Sequence, residues 1–252
     1  MADDEGCSRM TGAVRDRDAA VLQPGFARIA ALLADPAREA MLVALLGGRA
    51  LPAGDLAEIG GVSAQSASGH LKKLVDGGVL SVWSQGRFRY FRIAGAEIAG
   101  ALEALSVAAS ATSPSLRRAP SRRLALARSC YNHLAGRLGV ALADRLQKLG
   151  LVKADGDVMT LTAAGDEWAR RNGLDPSGAG RQPLVRPCLD WSERRFHLAG
   201  RLPSQILDQL IAADRLRRRN DRSLEVTKAG AQWFAALGID LDDVFEARGR
   251  DR

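Results

Sequence analysis

The chain has little of what builds covalent frameworks, membrane spans or common catalytic centres. Its 252 residues include three cysteines, Cys7, Cys130 and Cys188, odd in number and far apart, which excludes a disulfide framework as the organising device and leaves free thiols. No apolar run approaches the roughly 20 residues needed to cross a bilayer. The first residues carry acids where a secretory leader carries bases, so a cytoplasmic protein with no membrane partner is expected. There is no Gly-rich phosphate loop, no His-Glu-x-x-His and no Cys-x-x-Cys. Cys130 and His133, taken as i,i+3 neighbours on one helix, lack a third group to orient them for nucleophilic attack. Neither enzymatic activity nor a cofactor is expected.

Positive charge is what the chain has in excess. Lys and Arg number 36 against 29 acids, a formal charge of +7 that favours a polyanionic partner. Much of it is Arg, whose planar fork pairs with phosphate bidentately. The length suggests two domains.

One stretch organises the rest: Leu51 to Ile93, LPAGDLAEIGGVSAQSASGHLKKLVDGGVLSVWSQGRFRYFRI. A short helix (Pro52 to Ile59) stops at Gly60-Gly61, and Ser63 can cap a second helix running to about Val75. Ala67, Leu71, Leu74 and Val75 make one apolar stripe of that helix. Gln65, Ser66, Ser68, Gly69, Lys72 and Lys73 occupy the other face, where small and polar groups can reach base edges and phosphates. Asp76-Gly77-Gly78 ends the helix. Two β-rich runs follow, Val79 to Trp83 and Phe88 to Ile93, joined by Ser84-Gln85-Gly86, with Arg87 and Arg89 on one face near the tip. This is the punctuation of a winged helix-turn-helix. The expected double-stranded DNA contacts are Ser63, Gln65, Ser66, Ser68, Gly69, His70, Lys72, Lys73, Arg87 and Arg89, with His70 assigned to packing or phosphate contact.

The runs LADPAREAMLVALL, GDLAEIGGVSAQSASGHLKKLVDGGVL and GRFRYFRI resemble the ArsR/SmtB family of bacterial transcriptional regulators over residues 26–110. The resemblance implies a repressor that docks the Ser63 to Val75 helix in the major groove of its operator. It further implies a homodimer built by the first and last helices of the domain, released from DNA by an effector. The family's classical metal positions are not kept. The helix before the recognition helix has no thiol, and the last helix offers Glu97 and Glu103 but no His. No metal site is therefore assigned.

Flanking segments complete the domain. Phe26, Ile29, Ala30 and Leu33 mark a helix, and Asp35-Pro36 caps and starts another that runs to Leu46 and stops at Gly47-Gly48. Ala96 to Ser110 is a further helix with a narrow stripe of Ile98, Leu102, Leu105 and Ala109.

The second half is duplicated. HLAGRL at His133 recurs at His197, and LTAAGDEW at Leu161 matches VTKAGAQW at Val226; the offset is 64 residues at first and 65 later, as one inserted turn residue would give. Each unit reads helix, helix, hairpin, Thr-capped helix. The fold class expected is mainly α with small β-hairpin wings (α+β), a winged helix-turn-helix followed by two winged-helix-like repeats. The expected layout is a disordered tail at 1–20, the DNA-binding and dimerisation domain at 21–111, a linker at 112–119, repeats at 120–175 and 186–245 separated by a linker at 176–185, and a tail at 246–252. Arginines 215, 217, 218, 219 and 222 cluster at the second repeat's hairpin and read as a solvated run rather than a phosphate site.

Both repeats carry Arg-x-Cys, then an amide or carboxylate two residues on, then a His opening the repeated block. Cys130, Asn132, His133, Cys188, Asp190, Trp191 and His197 are thus candidates for sensing a small molecule or a thiol modification. Three readings stay open: a ligand pocket between the repeats, a thiol or soft-metal sensor, and small buried thiols with packing histidines. The function expected is a DNA-binding transcriptional regulator, a repressor released by an unknown small-molecule or redox effector. The alternative is a winged-helix protein-interaction scaffold without specific DNA binding.

Overall fold

A computed structural model describes residues 25–112, 121–156, 158–178, 180 and 182–246. The tail expected at 1–20, the linker residues 113–119 and the end of the chain from 247 lie outside the described residues.

The N-terminal half runs α1 (Phe26–Leu33), α2 (Pro36–Leu45), β1 (Leu51–Pro52), α3 (Ala53–Gly60), α4 (Ala64–Asp76), β2 (Leu80–Gln85), β3 (Phe88–Ile93) and α5 (Ala96–Thr112). Local chemistry sets the boundaries. Asp35 accepts from the Arg38 N–H at 2.9 Å, and Pro36, which has no N–H to waste, starts α2. Gly61 adopts φ 63° to end α3, and the Ser63 hydroxyl accepts from Ser66 N to begin α4. Strands order β1-β3-β2, all antiparallel, and Phe91 and Ile93 of β3 face a core of Met41, Leu45, Leu56, Leu71 and Leu74. Each such fully buried side chain stabilises the domain by about 1.5–3 kcal/mol. The wing is longer than expected: β2 continues to Gln85, paired with Phe88, so the turn is Gly86-Arg87 and Arg87 sits in it rather than on the strand with Arg89.

The C-terminal half runs α6 (Arg122–Leu126), β4 (Arg128–Cys130), β5 (His133–Ala135), α7 (Gly136–Lys148), β6 (Val152–Asp155), β7 (Val158–Leu161) and α8 (Ala163–Arg171). It continues with β8 (Arg186–Leu189), β9 (Phe196–Ala199), α9 (Arg201–Ala212), β10 (Leu216–Arg218), β11 (Leu224–Val226), α10 (Lys228–Ala236) and α11 (Leu241–Glu246). Each repeat is therefore hairpin, helix, hairpin, helix, and the leading hairpin replaces the helix expected from sequence. All six residues of β4 and β5 are buried, so no alternation of polar and apolar residues marks them as strands.

Duplication reaches the backbone. Thr162 and Thr227 cap α8 and α10 by accepting from Gly165 and Gly230. A Cβ on Gly165 would stand 2.1 Å from the Leu151 carbonyl oxygen, and one on Gly230 would stand 2.1 Å from that of Arg215. The extra residue of the second repeat falls in the turn between β10 and β11. The two repeats share one core, to which Leu138 and Leu146 of α7 and Leu202, Leu207 and Leu210 of α9 all belong. Packing is reciprocal: α7 lies on β9, and α9 lies on β5.

Candidate functional site

Two sites emerge, an exposed basic surface on the winged helix and a buried centre between the repeats. On α4 the buried stripe Ala67, Leu71 and Leu74 turns the opposite face to solvent, leaving Ser63, Gln65, Ser66, Ser68, Gly69, Lys72 and Lys73 exposed. Nothing lies within 4 Å of the Gly69 Cβ position, so the helix face is open to close approach. Lys72 pairs with Asp76 at 2.6 Å, whereas Lys73 extends from the last turn. Arg87 lies over the Phe88 ring and Arg89 over that of Phe91, both at the exposed wing. His70 departs from this surface. Its Nδ1 is 3.3 Å from the Arg38 guanidinium and 3.7 Å from Asp35, so it packs against the α1–α2 junction.

Of the arginines expected as a solvated run at the last hairpin, Arg217, Arg218 and Arg219 are exposed and Arg222 is buried, and each has a partner. Arg217 pairs with Asp214 and Arg219 with Glu225, Arg218 donates to the Gly47 carbonyl, Arg222 reaches Glu103, and Arg215 lies over Trp233.

The buried centre is built by the leading hairpins. Cys130 and His133 do not share a helix face; they are directly opposed across the two-residue turn Tyr131-Asn132. Cys188 and His197 hold the same opposed positions in the second repeat, where the loop at the hairpin's end includes residues 190–195. Opposed residues of an antiparallel pair project to one side, so each hairpin presents one thiol and one imidazole together. The β5–β9 contact then joins the two pairs. The sulfurs lie 3.9 Å apart, the two imidazoles meet Nε2 to Nε2 at 3.1 Å, and one donor atom from each of the four residues falls within 4.8 Å of all the others. Cys130, His133 and His197 are buried and Cys188 half-buried.

Electrostatics follow from that closeness. The Cys130–Cys188 contact, in which either sulfur can donate, pushes the Cys130 thiol up together with burial, whereas the contacts with Cys130, His133 and His197 outweigh burial and draw Cys188 down. Burial pushes His133 down to about 4, keeping it neutral. Burial would raise the Asp190 carboxyl, but Arg128, His197 and several hydrogen bonds outweigh it and hold the group well below the usual carboxylate range.

Asp190 is the hub behind the centre. Its Oδ1 accepts from Arg128 at 2.8 Å and from the Ser192 hydroxyl at 2.7 Å, while its Oδ2 accepts the first N–H of α7, from Gly136, at 2.7 Å. Oδ2 also lies 3.4 Å from His197 Nδ1, which has no well-aligned hydrogen bond. Trp191 covers the Arg128 guanidinium at 4.7 Å. Asn132 Oδ1 is 3.4 Å from His133 Nδ1. A void between the repeats, lined by Leu134, Gly139, Leu142, Leu198, Pro203 and Ile206, measures ≈ 10 Å³, about one water's worth.

The centre touches the N-terminal half through the turn it hangs from. Tyr131 N donates to the Leu46 carbonyl at the end of α2, and the Ser129 hydroxyl donates to that of Gly47. Gly48, at φ 71°, lies so close that a Cβ there would be 2.1 Å from the Tyr131 oxygen.

Among known proteins, a helix-turn-helix domain model matches residues 33–82. The uncharacterized HTH-type transcriptional regulator YdfF of Bacillus subtilis is 35% identical over 214 residues, covering 83% of this chain and 95% of YdfF, so the likeness extends through the repeats. A solved homodimeric winged helix-turn-helix DNA-binding domain, Mb0332 of Mycobacterium bovis, described as a possible ArsR-family regulator, is 28% identical. It covers 44% of this chain and 99% of its own, with a TM-score of 0.35. The cadmium sensor CMTR of Mycobacterium tuberculosis is 37% identical, covering 31% of this chain and 81% of its own, with a TM-score of 0.28. No helix among the described residues is long and apolar enough to cross a membrane. With an exposed polar face on α4, a basic wing and a relative matched along nearly its whole length, the chain belongs to the HTH-type transcriptional regulators, DNA-binding proteins of the winged-helix kind.

Proposed function

We propose that the protein is a cytoplasmic, homodimeric repressor. In this reading its C-terminal half senses an effector at the Cys130, His133, Cys188 and His197 centre and passes the event to the winged helix. One observation carries the reading: the turn Tyr131-Asn132 is flanked by two residues of the centre and fastened through Tyr131 N to the end of α2. An effector that repositions this hairpin shifts α2, and with it α3 and α4, which pack on α2. In a dimer the two copies of α4 must match adjacent major grooves, so a small change of pose costs operator affinity. Exposed Phe26 on α1 and Leu105 on α5 offer apolar surface for the second subunit. The DNA contacts in this reading are Ser63, Gln65, Ser66, Ser68, Gly69, Lys72 and Lys73 on α4 and Arg87 and Arg89 on the wing.

The test is fluorescence anisotropy on the duplex upstream of the protein's own gene at fixed salt, with and without a thiol-alkylating agent. Sequence-preferring binding that alkylation abolishes in the native chain but not in a Cys130→Ser, Cys188→Ser variant supports the reading. Binding with no preference over random duplex points instead to an interaction scaffold.

A further inference from the structure

We propose that Cys130, His133, Cys188 and His197 form a closed four-ligand site for one thiophilic divalent cation of the zinc class, clamping the two repeats together. The sulfur–sulfur and nitrogen–nitrogen spacings match the ion. With Zn–S near 2.3 Å and Zn–N near 2.0–2.1 Å, a tetrahedral site sets its two sulfurs about 3.8 Å apart and its two nitrogens about 3.3 Å apart. The centre has them at 3.9 Å and 3.1 Å.

Proton placement points the same way. Each imidazole turns its Nδ1 toward an acceptor oxygen, His133 toward Asn132 and His197 toward Asp190, both at 3.4 Å. With the ring protons on Nδ1, the tautomer in which those oxygens accept them, each Nε2 is left as a ligand atom. The two Nε2 atoms lie 3.1 Å apart, and in that tautomer a cation bonded to both replaces the repulsion of their lone pairs with attraction. A carboxylate or amide oxygen behind a ligating imidazole is the usual orienting partner in metal sites. Charge closes as well. Two thiolates and a dication sum to zero, and the neighbouring Arg128 and Asp190 neutralise each other.

Sulfur and imidazole donors select zinc and its neighbours over magnesium or calcium. Four protein ligands, three of them buried, leave no open coordination position, so the site holds structure and transmits state rather than performing catalysis. Because each repeat supplies one Cys and one His, the ion bridges two units whose shared core is apolar. That its loading alters operator affinity rests on the sensing role proposed above; the binding of the ion does not.

The deciding experiment titrates Co²⁺ into the chelator-treated, reduced full chain. The expected result is one equivalent bound, with sulfur-to-cobalt charge transfer and intense tetrahedral ligand-field absorption, displaced by Zn²⁺. Cys7→Ser leaves the spectrum unchanged, Cys188→Ser removes about half or more of the charge transfer, and Asn132→Ala, which takes away only an orienting acceptor, weakens zinc about 10- to 100-fold. Because replacing buried Cys130 or His133 risks unfolding, the titration of the unsubstituted chain is decisive. Absence of stoichiometric cobalt, an octahedral spectrum without charge transfer, or a Cys130–Cys188 disulfide found by mass in place of metal each overturns the proposal. One equivalent bound with operator affinity equal in the loaded and metal-free chains supports the site and overturns only the sensing role.

Discussion

The main-chain N–H of Tyr131 is bonded to the carbonyl of Leu46, joining the turn of a hairpin in the duplicated half to the end of the helix beneath the DNA-reading motif. Gly48 permits this approach, since its Cβ position is filled by the Tyr131 carbonyl.

Gly48→Ala is therefore expected to part the two halves. Its Cβ must displace backbone, and φ 71° is strained for alanine. Gly61→Ala is the control: φ is 63°, with nothing within 4 Å of the Cβ position, so only backbone strain is added. Calorimetry should give one unfolding transition for the native chain and Gly61→Ala, and two for Gly48→Ala.

The exposed face of α4 and the wing are expected to act through phosphate. Lys73→Ala and Arg89→Ala should each weaken operator and random duplex alike, and lower the slope of log affinity against log salt by about 1. Lys72 is tied to Asp76, so Lys72→Ala should have the smaller effect of the two lysines. Unchanged slopes in all three would remove this face from the interface.

Arg128 and Asp190 form an ion pair at 1% and 0% side-chain exposure. Removing one partner strands the other's charge. Arg128→Met is expected to destabilise by about 3–5 kcal/mol, and the double variant Arg128→Met, Asp190→Asn by less than the sum of the singles. Urea titration of the four chains of this cycle measures the coupling.

Asp35 gives a pH signature in the other half. The hydrogen bond from Arg38 N holds its carboxyl below the ordinary value. The contribution is thus present above the unfolded carboxylate range near 4 and lost as pH falls through the lower folded value. Asp35→Ala should melt below the native chain at neutral pH, with the gap closing in acid. A gap constant with pH would mean that the charge on Asp35 does not matter.

The winged helix is legible in sequence because its signals are local: a proline start, a serine cap, paired glycines and one apolar stripe per helix. Self-similarity exposes the duplication for the same reason. The leading hairpins are hidden. Tyr131 turns with φ 54° where sequence rules look for Asn-Gly or Asp-Gly, and strands of three wholly buried residues carry no period-2 pattern. The chemistry can be named residue by residue from sequence but not assembled, because spacing alone sets Cys130 and His133 three apart on a helix instead of across a turn. In the second repeat the longer loop, held by Asp190, separates Cys188 from His197 in sequence while leaving them opposed in space. The arginines at the last hairpin read as solvated in sequence because two of their partners, Gly47 and Glu103, come from the other half of the chain.

The reciprocal packing of α7 on β9 and α9 on β5 makes each repeat a half-object. Severed from its twin, either would expose half a core and offer two donors where four are needed. An ancestor with a single copy could complete itself only by pairing with another chain, each subunit lending its helix to the other's hairpin. Within one polypeptide that partnership is permanent. The two hairpins need not be alike: one has a tight turn that grips α2, the other a longer loop that carries Asp190.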